Sequence, residues 1–138
     1  MSGFRLTAAV LFAGLLFVWT WKLLEPNPVP EQVRELLSWW DWLPFLAAKT
    51  LHAGGYATLA VLAGVAAPSR CWKLAALAFL LLHGVGTEIG QTFVPNRSGR
   101  VRDVLIDWAG IAAGVGLGWR WWREAFRSKD SSACPPIP

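Results

Sequence analysis

The sequence predicts an all-α fold, an integral membrane bundle of four transmembrane helices with a short interfacial helix between the first and second. Three observations carry this. The chain is 54% hydrophobic and only 16% charged, a balance that suits lipid better than water. Its charges gather in short clusters and leave four long apolar stretches, residues 6–24, 44–65, 74–94 and 104–122. Each approaches the roughly 20 helical residues needed to cross a hydrocarbon core about 30 Å thick. Tryptophan, whose amphipathic ring prefers the headgroup level, marks their ends. Trp19 and Trp21 close the first, Trp39, Trp40 and Trp42 precede the second, Trp72 precedes the third, Trp108 opens the fourth, and Trp119, Trp121 and Trp122 end it.

The first stretch follows Arg5 in the manner of a secretory signal. It is too long for one, lacks a small-x-small cleavage site and runs on into Trp19, Trp21 and Lys22, so it is expected to stay as a span. Residues 25–31 carry a proline at every second position and cannot be helical. Residues 31–40 then place Val33, Leu36, Leu37 and Trp40 on one stripe, the pattern of a helix lying in the interface. Asp41 is placed to cap the second span, with Pro44 in its first turn. Residues 128–138, rich in Ser and Pro, have little to bury and read as a flexible tail, which leaves residues 1–127 as a single domain.

Four spans put both termini on one side. Arg5, Arg70, Lys73, Arg120, Arg123, Arg127 and Lys129 fall with the termini, against Lys22, Arg34, Lys49, Arg97, Arg100 and Arg102 on the other side. Acidic residues weigh little in the positive-inside rule, so the balance is a modest preference for cytoplasmic termini. Cys71 and Cys134 then lie in a reducing compartment, where no disulfide is expected. The net charge of +4 sits beside helix ends, where anionic headgroups explain it better than nucleic acid does.

An ionisable group inside a membrane costs about 2.5 to 3.5 kcal/mol, so each one invites a functional reading. On the second span Lys49, His52 and Tyr56 share a face at spacings of three and four. The third carries Glu88 and Gln91, three apart, before Pro95 ends the helix. Arg97 stands in the following loop, and the fourth span opens with Asp103 and Asp107 on a stripe that continues as Gly110, Gly114 and Gly118. Such glycines let a neighbouring helix, in the same chain or another copy, approach closely. The topology brings Lys49, His52, Glu88, Gln91, Arg97, Asp103 and Asp107 to one membrane surface. The plainer reading is an ion-pair lattice that locks helices together, Lys49 or Arg97 against Glu88 or Asp103. His83, isolated and off the Glu88 face, is read as a histidine bonded to a neighbouring helix and left outside the site.

Lys49-x-x-His52-x-x-x-Tyr56, then Glu88-x-x-Gln91-x-Phe93-x-Pro95-x-Arg97, then Asp103-x-x-x-Asp107-x-x-Gly110-x-x-x-Gly114 resembles the signature of the VanZ-like family of bacterial membrane proteins. The resemblance implies a small multi-pass protein of the bacterial cytoplasmic membrane, in a family named for a member linked to low-level resistance to the glycopeptide teicoplanin. The family pattern leads one to expect Asn where this chain has Asp107, an acceptor-only group when ionised. Arg100 and Arg102 make the loop more cationic than the motif requires.

His52, Glu88, Asp103 and Asp107 supply a possible general acid and base. Ser98 and Thr50 have no nucleophile motif around them. His52 and the three acids are conceivable ligands for a hard or borderline ion, but no familiar ligand spacing appears and a hydrogen-bonded histidine with paired acids accounts for the same residues, so neither a metal nor another cofactor is expected. Charges confined to one face offer no polar path for a channel. The leading expectation is a cell-envelope protein that binds or shields an anionic lipid headgroup, a lipid-linked cell-wall intermediate or a glycopeptide. The alternatives are a membrane enzyme acting on such a headgroup and an accessory subunit docking partner helices through its glycine face and tryptophans.

Overall fold

A computed structural model describes residues 3–26, 35, 42–95 and 97–127, and within them all regular structure is helical, with no strand. Five helices follow in order: α1 (Gly3–Leu24), α2 (Leu43–Ala66), α3 (Arg70–Gln91), α4 (Val101–Leu117) and α5 (Trp119–Phe126). The expected interfacial helix, the Asp41 cap and the tail lie outside the described residues.

Local chemistry sets the ends. Pro44 sits in the first turn of α2, where its missing N–H costs nothing. The helix stops before Pro68, with Ala67 held extended at φ −65°, ψ 123° as a residue before proline prefers. Helix α3 ends at Gln91, three residues short of the expected 94. There Thr92, Phe93 and Val94 turn back onto the carbonyls of Ile89, Gly90 and Gln91 ahead of Pro95. Asp103 in the first turn of α4 meets the positive end of that helix. The fourth apolar stretch is not one helix: it divides at Gly118, which ends α4 and begins α5.

Among the described residues, α1 and α3 are long and apolar enough to cross a membrane. Much of their apolar surface is uncovered, Phe4, Phe17 and Val18 of α1 and Leu82 of α3 among it, which is disfavoured against water and expected against lipid. Helix α2 is diluted by glycine, threonine, lysine and histidine, and α4 has only 17 residues. The expectation of four spans is therefore met by length and composition for two.

Helix α2 is the centre of the bundle and packs against every other helix. Its core residues Tyr56, Leu59, Ala60 and Ala63 meet Leu23 of α1, Leu80 of α3, Ile111 of α4, and Trp122 and Ala125 of α5. The closest approach is α2 to α4. A Cβ at Gly110 or Gly114 would collide with the backbone carbonyl of Ala53 or Ala57, so only glycine fits. Gly118, grouped with them by spacing, instead faces Trp121, Trp122 and its own helix.

Two tryptophans depart from their expected place at the interface. Trp19 lies against Gly55, and Trp122, fully buried, lies against Gly64 and donates its Nε1–H to Ala60 O at 3.0 Å. In both cases a glycine on α2 leaves a flat for the ring. At this end Lys73, 4% exposed, pairs with Glu124 at 2.7 Å. Cys71, for which no disulfide was expected, is disulfide-bonded.

Candidate functional site

Helices α2 and α4 run parallel, because partners advance together along both: Lys49 with Asp103, His52 with Asp107, Ala53 with Gly110 and Ala57 with Gly114. The glycine contact holds the two backbones close, so the polar residues one and two turns nearer the helix starts are driven into contact. Lys49 Nζ lies 2.5 Å from Asp103 Oδ1, as an ion pair rather than an aligned hydrogen bond. His52 Nδ1 lies 3.0 Å from Asp107 Oδ1. Lys49 and Arg102 also stand over the Phe45 ring, 5.5 and 5.1 Å from its centre.

Helix α3 supplies the third wall. Glu88 and Gln91 are both buried. Glu88 Oε2 accepts the backbone N–H of Arg100 at 2.8 Å. The loop reaches it only because Gly99 presses against the Glu88 carbonyl, where any Cβ would collide. Arg97, foreseen as a partner for Glu88 or Asp103, contacts neither. Its Nε donates to Glu25 O at 3.1 Å and its Nη2 to Leu23 O and Lys22 O at 3.3 and 3.4 Å. It thus caps the C-terminal carbonyls of α1, where a cation also suits the helix dipole. Burial lowers its pKa from the ordinary guanidinium value, and Glu88 and Glu25 oppose that.

Below this level runs a chain the sequence did not reveal. Thr20 of α1 donates to Leu16 O at 2.7 Å, which leaves its oxygen to accept from His83 Nε2 at 2.9 Å. His83 Nδ1 is then the acceptor for the Tyr56 hydroxyl at 2.9 Å, and Thr87 Oγ1 lies 3.3 Å from the same hydroxyl. His83 is bonded to neighbouring helices, as its plainer reading held, yet the partner on α2 is a candidate site residue. Its only sequence signal was the four-residue spacing to Thr87.

Several buried polar atoms have no hydrogen-bond partner among the described residues: Glu88 Oε1, Asp107 Oδ2, Gln91 Nε2 and Trp19 Nε1. Such atoms cost about 1 to 3 kcal/mol each, and more when charged. The first two belong to a cluster. His52, Glu88 and Asp107 each bring one donor atom to within 4.8 Å of the others. Asp107 is fully buried, and a Cβ on Gly84 would lie 3.5 Å from its Oδ2 and 3.7 Å from the Tyr56 hydroxyl. An added methyl there would meet both at ordinary van der Waals distance.

Between α1 and α2 opens a groove of about 290 Å³ lined by Trp19, Lys22, Leu23, Ala48, Leu51, His52 and Arg97. Its walls are mostly apolar, and its ionisable side chains are Lys22, His52 and Arg97. Trp19 stands edge-on to His52 and Tyr56, with ring centres 6.1 and 6.4 Å away. Sequence reasoning missed Trp19, assigned to the interface, and Lys22, counted only for orientation.

A family model described as VanZ/LLP1 matches residues 5–123, so it takes in every residue of this site. No curated protein and no solved structure matches the chain.

Proposed function

Because the chain belongs to the VanZ/LLP1 family, we propose that this VanZ-like envelope protein holds an anionic lipid headgroup, either of a bulk phospholipid or of a lipid-linked cell-wall intermediate, in the groove between α1 and α2. The observation that carries the reading is the make-up of that groove. Arg97 and Lys22, the latter paired with Glu25 at 2.6 Å, stand beside His52, and Leu23, Ala48, Leu51 and Trp19 line the groove with surface that suits acyl chains. A phosphate there meets a guanidinium that, among the described residues, engages Nε and Nη2 and keeps Nη1 free. Shielding such a headgroup from a glycopeptide is the form this binding would take in a resistance role.

Purified protein and a short-chain phosphatidylglycerol supply the test, with phosphatidylcholine as control. We expect saturable binding of the anionic lipid, weakened about tenfold by Lys22→Gln, the weight of one charge-assisted contact. Equal affinity for both lipids would sink the reading. A membrane enzyme acting on the same headgroup is the second reading, favoured by the His52–Asp107 pair beside the groove. Turnover of a bound headgroup by the purified protein would select it.

The proposal takes α2 and α4 as spans too and places the termini in the cytoplasm, on the basic clusters of Arg5, Arg70, Lys73 and Arg120 to Arg127. Reporter fusions at both ends decide. Alkaline phosphatase activity from a fusion after Arg127 would turn the groove to the cytoplasm.

A further inference from the structure

We propose that His52, Glu88 and Asp107 hold a divalent metal ion of the Zn2+ or Mn2+ class. The inference rests on the geometry of these three side chains and stands apart from the headgroup reading.

Charge comes first. Glu88 and Asp107 are 4% and 0% exposed, and each has one oxygen without a partner among the described residues. The cations that sequence alone offered them are engaged elsewhere, Lys49 on Asp103 and Arg97 on the carbonyls of α1. Two carboxylates and a neutral imidazole carry two negative charges into a site that desolvates them, and a dication balances both.

Spacing comes second. Donor atoms about 2.1 Å from a common ion lie roughly 3 to 3.4 Å apart. His52 Nδ1 and Asp107 Oδ1 are 3.0 Å apart already, in a hydrogen bond whose proton the ion would displace. The whole triangle spans no more than 4.8 Å, so small side-chain rotations close it. The three ligands come from α2, α3 and α4, whose positions are fixed by the Gly110 and Gly114 contacts and by the Arg100 N–H on Glu88.

Ligand chemistry then selects the ion. One imidazole with two carboxylates suits Zn2+ and Mn2+, whereas Ca2+ and Mg2+ prefer oxygen alone. Three protein ligands leave a coordination position open, as in reactive rather than purely structural sites. Of the three, His52 lines the groove, and Glu88 and Asp107 lie buried behind it.

The test uses full-length protein in detergent, stripped with chelator and titrated with Zn2+ or Mn2+ alone. We expect one ion per chain by elemental analysis and a raised melting temperature. Glu88→Gln and Asp107→Asn should each weaken binding about tenfold or more, and Glu124→Gln, at the opposite end, should leave it unchanged. A proton shared between Glu88 and Asp107 is the competing account of their free oxygens. It predicts no saturable ion, and that result overturns the proposal, as does undiminished binding in Glu88→Gln. Should both variants fail to fold, Mn2+-loaded wild-type protein decides by pulsed electron paramagnetic resonance. Modulation from one directly bound imidazole nitrogen is expected, and its absence refutes the site.

Discussion

The two ends of this bundle treat buried polar groups in opposite ways. At the end near Lys73 each one described here is matched: Lys73 with Glu124 at 2.7 Å, and the Trp122 indole with Ala60 O at 3.0 Å. At the other end Glu88, Gln91 and Asp107 are as deeply buried and each keeps an atom without a partner among the described residues. This fold can satisfy such groups, as the first end demonstrates. Atoms left over at the second end are therefore better explained by something they bind than by poor packing.

If the comparison holds, damage near Lys73 and along the helix contact should be paid in stability, and damage around Glu88 chiefly in binding. The largest effect is expected from Gly114→Leu, which must push α4 off the Ala57 backbone. It should cost at least about 3 kcal/mol and abolish the detergent melting transition or lower it severely. Unchanged melting would mean that the α2–α4 contact does not hold. Trp122→Ala removes a fully buried ring and should cost about 3 kcal/mol in a denaturant titration while sparing lipid binding. Loss of binding without loss of stability would break the contrast between the ends.

Gly99→Ala is smaller and sharper. A Cβ there collides with the Glu88 carbonyl, so the loop must lift and take the Arg100 N–H away from Glu88. About 1.5 kcal/mol of stability should go, the worth of one hydrogen bond to a charged acceptor, and hydrogen exchange at the Arg100 amide should quicken. The smallest effect is that of pH on Glu124. The Lys73 hydrogen bond and charge hold its carboxyl below the usual range, with Arg123 and Arg5 helping and burial opposing weakly. A lowered folded pKa means the pair stabilises above the ordinary carboxylate value and loses that contribution as pH falls through the lowered one. The side chain is 68% exposed, so the effect is screened and small. The melting difference between wild type and Glu124→Gln should shrink from about pH 7 to about pH 3.

Much of the site was legible because helical spacing and the cost of buried charge are properties of sequence. Lys49, His52 and Tyr56 had to share a face, and acids on α4 at the same depth were the natural partners. Which cation met which acid was not legible. Arg97 turned to α1 because the carbonyls ending that helix lacked donors, a demand invisible until the loop is placed beside it. Trp19 and Trp122 were misassigned for a related reason: a ring beside a helix end reads as interfacial unless one knows that Gly55 and Gly64 leave hollows for it. The division of the fourth stretch at Gly118 escaped because one glycine inside an apolar run is common in spans that continue.

The Arg97 loop has a mechanical consequence. Two residues separate Arg97, fastened to the last carbonyls of α1, from Arg100, whose N–H rests on Glu88. The segment is a short tie rod between the movable wall of the groove and the buried acid. If α1 swings away from α2 to admit a wide occupant, either the guanidinium lets go or the rod pulls on Glu88 and strips it of the Arg100 N–H. The groove's width and the electron-pair availability of Glu88 are then a single variable, so that a ligand wedged beside Trp19 sharpens the appetite of an acid it never touches.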